Sequence, residues 1–105
     1  MTAIKDKVVV ITGSTRGFGY AIAESMLEAG AIVAITGRSQ SVVESTLTKL
    51  QPKGRVSGFV VDVRNEEQVY KLVDDVIQEF GRIDIWINNA GYSNAAGMML
   101  DMNPQ

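Results

Sequence analysis

Short apolar runs alternate with longer amphipathic segments along this chain. Four apolar runs are rich in β-branched residues: Val8 to Ile11, Ile32 to Ile35, Phe59 to Val61, and Ile83 to Ile87, the last interrupted by Asp84. A continuous apolar run of this length is typical of a strand that is buried on both faces of a parallel sheet. The pattern therefore predicts four buried strands.

The segments between these runs have the apolar spacing of helices. The first extends from Phe18 until Gly30 stops it, and the second follows a Ser41-x-x-Glu44 capping box. The third begins behind Asn65 as its cap, stops at Gly81, and has the clearest apolar face: Val69, Leu72, Val73, Val76, Ile77 and Phe80. We therefore predict three helices, one in each interval between strands.

This alternation of strands and helices predicts parallel strands joined by right-handed crossovers. The expected fold is an α/β Rossmann-type doubly wound parallel sheet of four strands, formed by a single domain over residues 1–105. Beyond Gly91, the segment from Tyr92 to Gln105 is small, polar and rich in methionine, and it predicts a loop that leads into a helix start.

Composition narrows the classes of function. The chain has 105 residues and a formal net charge of −2, without a basic stripe, so neither nucleic acid nor an anionic membrane is a predicted partner. Cysteine and histidine are absent, which excludes disulfides, Cys/His zinc sites and His-dependent triads within this chain. No apolar run approaches the roughly 18 residues of a membrane span, and Met1 to Lys7 lacks a signal-peptide pattern. These features predict a cytoplasmic protein.

The turn after the first strand contains three glycines in the sequence Thr12-Gly13-Ser14-Thr15-Arg16-Gly17-Phe18-Gly19. The helix that begins there offers unpaired amides and the positive end of its dipole, which suits the phosphate of a nucleotide. The spacing differs from G-x-G-x-x-G, so a tight turn with close helix packing stays open as an alternative. Its place at the carboxyl end of a strand favours a dinucleotide, with these candidate contacts: Gly13, Ser14, Thr15, Arg16, Gly17, Phe18 and Gly19.

The end of the second strand indicates which dinucleotide is bound. An acidic residue there would hold a ribose 2′-hydroxyl, but the sequence is Thr36-Gly37-Arg38. The guanidinium of Arg38 suits a 2′-phosphate, and Arg16 adds a second positive charge. We therefore expect NADP(H) in preference to NAD(H), the alternative being that both arginines are ordinary solvated side chains.

Two more strand ends carry polar residues. The Asp62 carboxylate, followed by Val63, can accept a hydrogen bond from the amino group of adenine, or it can simply precede the helix capped by Asn65. In the motif Asn88-Asn89-Ala90-Gly91, the amides can satisfy backbone groups of neighbouring strands, or the motif can be only a turn.

Taken together, these motifs closely resemble the short-chain dehydrogenase/reductase family in order and spacing, from Lys7 to Gly91. The resemblance implies that the backbone of Gly13 to Gly19 cradles the pyrophosphate. It also implies that Asp62 and Val63 meet the adenine, and that the last motif borders the cofactor ribose through Asn88, Ala90 and Gly91. The arginine pair resembles that of members which prefer NADP(H).

The chain departs from the family in its length and in its catalytic residues. Members are typically more than twice as long and use a Ser with a Tyr-x-x-x-Lys motif, whereas the residues four positions after the three tyrosines here are Glu24, Asp74 and Ala96. We therefore assign no catalytic residue. We expect a truncated, NADP(H)-binding portion of a carbonyl or alcohol oxidoreductase that is inactive as this chain alone.

A second hypothesis is a non-catalytic nucleotide-binding or sensor module that oligomerisation completes. In the family, later strands would flank the strand from Ile83 to Ile87, and this chain lacks them. A bare strand edge of this kind predicts self-association.

Overall fold

The computed structural model describes residues 3–90. The strands are β1 (Val8–Ile11), β2 (Ile32–Gly37), β3 (Val56–Val60) and β4 (Ile85–Ile87). The helices are α1 (Gly17–Glu28), α2 (Gln40–Leu50) and α3 (Glu66–Phe80), and a short 3₁₀ turn over Gln51–Lys53 follows α2. The predicted loop and helix start after Gly91 lie outside the described residues.

All strand pairs are parallel, and the order across the sheet is β3-β2-β1-β4. In the centre, Val9 of β1 lies opposite Val33 of β2 on one side and Ile85 of β4 on the other. The chain moves outward from β1 to β3 and then returns to the other side of β1, so the topology reverses at the carboxyl end of β1. The predicted parallel sheet of the Rossmann type is confirmed.

Helices cover both faces of the sheet because neighbouring residues of a strand point to opposite faces. On one face, β1 packs against α1 and α2 through Val9, Ile11, Ala23, Leu27 and Leu50. On the other face, it packs against α3 through Val8, Val10, Leu72 and Val76. This two-sided burial explains why the run Val8–Ile11 is apolar throughout, and the sheet is doubly wound as predicted.

The outer strands differ from the prediction of burial on both faces. β3 covers Val56–Val60 instead of Phe59 to Val61, it is partly exposed along its length, and Val60 is 51% exposed. β4 begins at Ile85 instead of Ile83 and is also partly exposed. Each pairs with only one neighbour among residues 3–90, so less of its surface is covered.

Helix α2 starts two residues earlier than the capping box predicted. The Ser39 hydroxyl accepts a hydrogen bond from the Val42 amide at 3.4 Å, so Ser39 is the cap and Ser41 lies in the first turn. The prediction for α3 is confirmed, since Asn65 Oδ1 accepts from the Gln68 amide at 3.1 Å and Gly81 ends the helix with a φ of +89°. Two serines suit the start of α2, and the first of them is the cap.

Candidate functional site

A cleft of about 700 Å³ lies at the carboxyl ends of the parallel strands. Eight of the predicted contact residues line it: Gly13, Thr15, Arg16, Gly17, Arg38, Asp62, Val63 and Ala90. They come from four separate turns, each of which follows a strand. The parallel sheet therefore brings together most of the residues that the sequence singled out.

The three glycines of the first turn serve different purposes. Gly13 and Gly17 have φ values of +63° and +61°, a left-handed conformation that residues with a side chain rarely adopt. A β-carbon on Gly19 would collide with the carbonyl oxygen of Gly13 and lie 2.6 Å from Asn89 Nδ2. Gly19 therefore allows α1 to start in close contact with the turn, a packing role that the sequence analysis had considered for Gly13 and Gly17.

Room for a bound group is found at Gly17 and not at Gly13. A β-carbon on Gly13 would lie 3.3 Å from the Ala90 α-carbon, so its absence makes space for the protein itself. At Gly17, a β-carbon would meet nothing within 4 Å. The Gly17 peptide is therefore the part of this turn that an incoming phosphate can approach.

The amino terminus of α1 has no side-chain cap. Its cap residue, Arg16, is extended and its side chain, which has no acceptor atom, makes no capping hydrogen bond. The first turn contains no acidic residue. The first amides of a helix have no partner within the helix, and together they attract an anion. This uncapped end lies at the cleft, because both Arg16 and Gly17 line it.

A hydroxyl group joins the first and last turns of the site. Thr12 Oγ1 accepts hydrogen bonds from the amides of Asn89 at 2.9 Å and Ala90 at 3.1 Å, and it donates to Asn88 Oδ1 at 3.1 Å. Asn89 Nδ2 in turn donates to the carbonyl of Gly13 at 3.1 Å. The Asn89 side chain therefore satisfies a backbone group of the first turn, as the sequence allowed, whereas the Asn88 side chain bonds to the Thr12 hydroxyl. Gly91 lies outside the described residues.

A second hydroxyl network closes the space between β1 and β2. The buried Ser14 hydroxyl donates to the Ile11 carbonyl and accepts from the Thr36 amide, both at 2.8 Å. Thr36 Oγ1 accepts from the Gly13 amide at 3.1 Å and donates to the Ile11 carbonyl at 3.2 Å. Ser14 therefore uses its side chain inside the sheet, away from the surface of the cleft.

Arg16 and Arg38 provide the positive charge of the cleft. Both are exposed, and within residues 3–90 neither guanidinium takes part in an ion pair or a hydrogen bond. The carboxylate of Asp62 lies near enough to Arg38 for the two charges to interact. Two guanidinium groups without a bonded partner attract an anion to this part of the cleft.

The position of Asp62 is compatible with both of the roles that the sequence left open. It lines the cleft, and it also lies in the turn before α3, where its amide donates to Gln68 Oε1 at 2.7 Å. The guanidinium of Arg64 donates hydrogen bonds to both oxygens of the carboxylate and lowers the pKa of Asp62 to about 2. Beside it, Val63 is buried against Val69 and Trp86.

The sequence analysis and the structure differ on several other residues. Phe18 is 77% exposed and its side chain does not line the cleft, while the Asn88 side chain is bonded to Thr12. The cleft also includes residues that were not among the predicted contacts: Thr36, Gly37, Ser39, Val42, Val61 and Asn89. Ser39 and Val42 were missed because α2 was expected to start later.

The site and the sheet define a Rossmann-type α/β domain with an anion-attracting cleft. Open amides and two arginines suit the phosphates of a dinucleotide, and the ionised carboxylate of Asp62 suits a donor group on its base. No group of three or more His, Cys, Asp or Glu residues within 3–90 could hold a metal ion. None of the helices in that range is long and apolar enough to cross a membrane.

Comparison with known proteins agrees with this description. The model of the short chain dehydrogenase family matches residues 7–105. Over 90 residues, the chain is 50% identical to the chloroplastic chlorophyll(ide) b reductase NOL of Oryza sativa subsp. japonica, covering 83% of this chain and 26% of that protein.

Solved structures show the same likeness. The L-sorbose reductase of Gluconobacter frateurii, complexed with NADPH and L-sorbose, is 40% identical with a TM-score of 0.80, over 85% of this chain and 35% of that one. An NAD⁺-bound xylitol dehydrogenase is 33% identical with a TM-score of 0.81, and the match covers 87% of this chain and 35% of that one. The chain therefore belongs to the short-chain dehydrogenase family of oxidoreductases and corresponds to its amino-terminal Rossmann portion, spanning less than half the length of these relatives.

Proposed function

We propose that this chain is the NADP(H)-binding portion of a short-chain dehydrogenase that interconverts a carbonyl compound and an alcohol. The observation that carries the preference for NADP(H) is the end of β2, where residues 36–38 contain no carboxylate and Arg38 lines the cleft without an ion pair to any residue in 3–90. A 2′-phosphate would supply the missing negative charge. A ribose 2′-hydroxyl would instead need an acceptor at this place.

The other contacts follow from the geometry of the cleft. The backbone of Gly13 to Gly19, with the uncapped start of α1 at Arg16 and Gly17, would hold the pyrophosphate. Asp62 and Val63 would contact the adenine, and Asn88, Ala90 and Gly91 would border a ribose. When bound, the reduced nicotinamide supplies a hydride. This chain's contribution is to bind and orient the dinucleotide.

Family membership by itself leaves the cofactor open, because solved relatives hold either NAD⁺ or NADPH. The test is calorimetric titration of NADPH and NADH into the chain and into Arg38→Ala. Loss of charge-assisted bonds to the 2′-phosphate is expected to weaken NADPH binding roughly tenfold to hundredfold and to leave NADH binding unchanged.

Arg55→Ala is the matched control for the Arg38 experiment. It removes the same charge from the opposite end of the sheet, where Arg55 lies over the Phe80 ring at 5.0 Å. The control is expected to keep the wild-type affinity for NADPH. An equal loss of NADPH and NADH affinity in Arg38→Ala would contradict the 2′-phosphate assignment.

The proposed activity belongs to a longer catalytic unit, since no residue of this chain is assigned as the proton donor. A positioned acid commonly raises the rate of such a reaction by about 10²- to 10⁴-fold through proton transfer. It also stabilises the negative charge that develops on the carbonyl oxygen, and a chain without such an acid lacks both effects. The chain is therefore expected to bind NADPH without reducing carbonyl substrates. Oxidation of NADPH that depends on an added carbonyl substrate would contradict this.

We also propose that the chain self-associates through the β4 side of the sheet. Within residues 3–90, β4 pairs only with β1, and its side chains are partly exposed. Such an edge is prone to pair with another chain. Sedimentation velocity is expected to show oligomers, and a monodisperse monomer would contradict the proposal. The expected cytoplasmic location stays a prediction.

A further inference from the structure

The side chain of Arg64 folds back onto the carboxylate at the rim of the cleft. Its Nε donates to Asp62 Oδ1 at 3.0 Å, and its Nη2 donates to Asp62 Oδ2 at 2.9 Å. The Arg64 amide adds a third bond to Oδ1 at 3.0 Å. Because a guanidinium is planar and rigid, these three bonds fix the plane of the carboxylate as well as its position.

The three bonds from Arg64 leave part of the hydrogen-bonding capacity of the Asp62 carboxylate unused. An ionised carboxylate can accept about four hydrogen bonds, two at each oxygen. Arg64 occupies both positions of Oδ1 and one position of Oδ2, and no other residue in 3–90 donates to either oxygen. One acceptor position therefore remains, on Oδ2, and Asp62 lines the cleft.

The backbone beneath the carboxylate is fixed as well. The Asp62 amide donates to Gln68 Oε1 at 2.7 Å, which ties the residue to the first turn of α3. The pair itself is exposed, with 50% of the Arg64 side chain and 30% of the Asp62 side chain accessible, so its contribution to stability is small. Its main physical effect is on the orientation of the remaining acceptor.

We propose that Arg64 is a positioning residue that fixes the orientation of the Asp62 acceptor and so selects a base with an amino group at position 6 over one with a carbonyl there. This inference rests on the proposed NADP(H) site. The low pKa of Asp62 supports it, since an ionised carboxylate cannot donate to a carbonyl oxygen. Without Arg64, the carboxylate can turn and bond to other edges of the base.

The test compares NADPH with its hypoxanthine analogue, in which a carbonyl replaces the 6-amino group of adenine. Dissociation constants are measured by calorimetry for the wild-type chain, Arg64→Ala, Asp62→Asn and the control Arg55→Ala, after thermal unfolding confirms that each is folded. The wild type and the control are expected to prefer NADPH roughly tenfold, because the analogue leaves the acceptor unpaired against an oxygen.

The variants separate positioning from a merely structural role. Arg64→Ala and Asp62→Asn are both expected to bring the ratio of the two dissociation constants close to one, although Arg64→Ala keeps the carboxylate. An unchanged or larger ratio in Arg64→Ala, or no preference in the wild type, would overturn the inference while leaving NADP(H) binding intact. Absence of NADPH binding in the wild type would overturn the proposed function and this inference with it.

Discussion

The two ends of the parallel sheet differ in how some of their charged and backbone groups are paired. At the amino end, Asp84 Oδ2 accepts from the Val8 amide and from Arg82 Nε, both at 2.8 Å, so charge and backbone are paired inside the protein. At the carboxyl end, Arg16 and Arg38 have no bonded partner within residues 3–90, and the first amides of α1 have no side-chain cap.

This difference separates charged and backbone groups that are paired within the protein from groups that are available to a ligand. Paired groups at the amino end stabilise the sheet whether or not anything is bound. Uncompensated donors and charges at the carboxyl end gain a partner only when an anion enters the cleft. Substitutions at the amino end should therefore change stability alone, while those at the carboxyl end should change binding too.

The largest effect is expected from a methyl group added to the turn at the carboxyl end. In Gly19→Ala, the new β-carbon would be too close to the Gly13 carbonyl oxygen and to the Asn89 side-chain amide, so both groups would have to move away from it. We expect a loss of about 3 kcal/mol in the free energy of unfolding, measured by urea denaturation, and loss of NADPH binding.

The matched control lies at the opposite end of the sheet. Gly81→Ala adds the same methyl group where nothing lies within 4 Å, so only the left-handed backbone is penalised, by about 1 kcal/mol. NADPH affinity should be unchanged. Equal effects of the two substitutions on binding would remove the distinction between the ends.

A smaller effect is expected from the hydroxyl that joins the two turns of the site. Thr12→Val keeps the shape of the side chain but leaves the amides of Asn89 and Ala90 without their acceptor. Unfolding in urea should show a loss of about 2 kcal/mol, with weaker NADPH binding because the turn after β4 is released.

Thr46→Val is the control for this substitution. The Thr46 side chain is also buried, but its hydroxyl donates to the Val42 carbonyl of its own helix at 2.8 Å, and to the Thr15 carbonyl only at 3.4 Å. It should cost about 1 kcal/mol or less. A Thr12→Val variant no less stable than this control would show that Thr12 does not hold the turns together.

The smallest effect concerns pH at the amino end. The hydrogen bond from Arg82, followed by that from the Val8 amide, holds the pKa of Asp84 below its usual value of 3.8. Because the folded pKa is the lower one, this stabilisation is complete above 3.8 and is lost as the pH falls through the folded value. Asp84→Asn should therefore lower stability by less than about 1 kcal/mol at pH 7, and the difference from wild type should shrink on acidification.

Urea denaturation between pH 2 and pH 7 checks this prediction, with Asp74→Asn as a control on the exposed side of α3. NADPH affinity at pH 7 should be the same in both variants. A difference from wild type that grows in acid would show that the sign of the Asp84 contribution is wrong.

Local patterns in the sequence determined the order of elements, the parallel sheet and the position of the glycine turn. The apolar run of β1 and the capped amphipathic pattern of α3 are properties of neighbouring residues, so they can be recognised without the fold. The same local evidence placed Arg38 and Asp62 at strand ends, because parallel strands share a carboxyl edge. Most of the cleft lining follows from these placements.

Only the tertiary structure decided the partners of the polar side chains that bond across separate elements. Thr12 and Asn88 are 76 positions apart, and nothing near either one in the sequence indicates that they form a hydrogen bond. Likewise, the exposure of β3 depends on its place at the edge of the sheet, and the use of Ser14 inside the sheet depends on β2 lying beside β1. Periodicity reports which face of an element is buried, whereas contacts between distant elements exist only once the chain has folded.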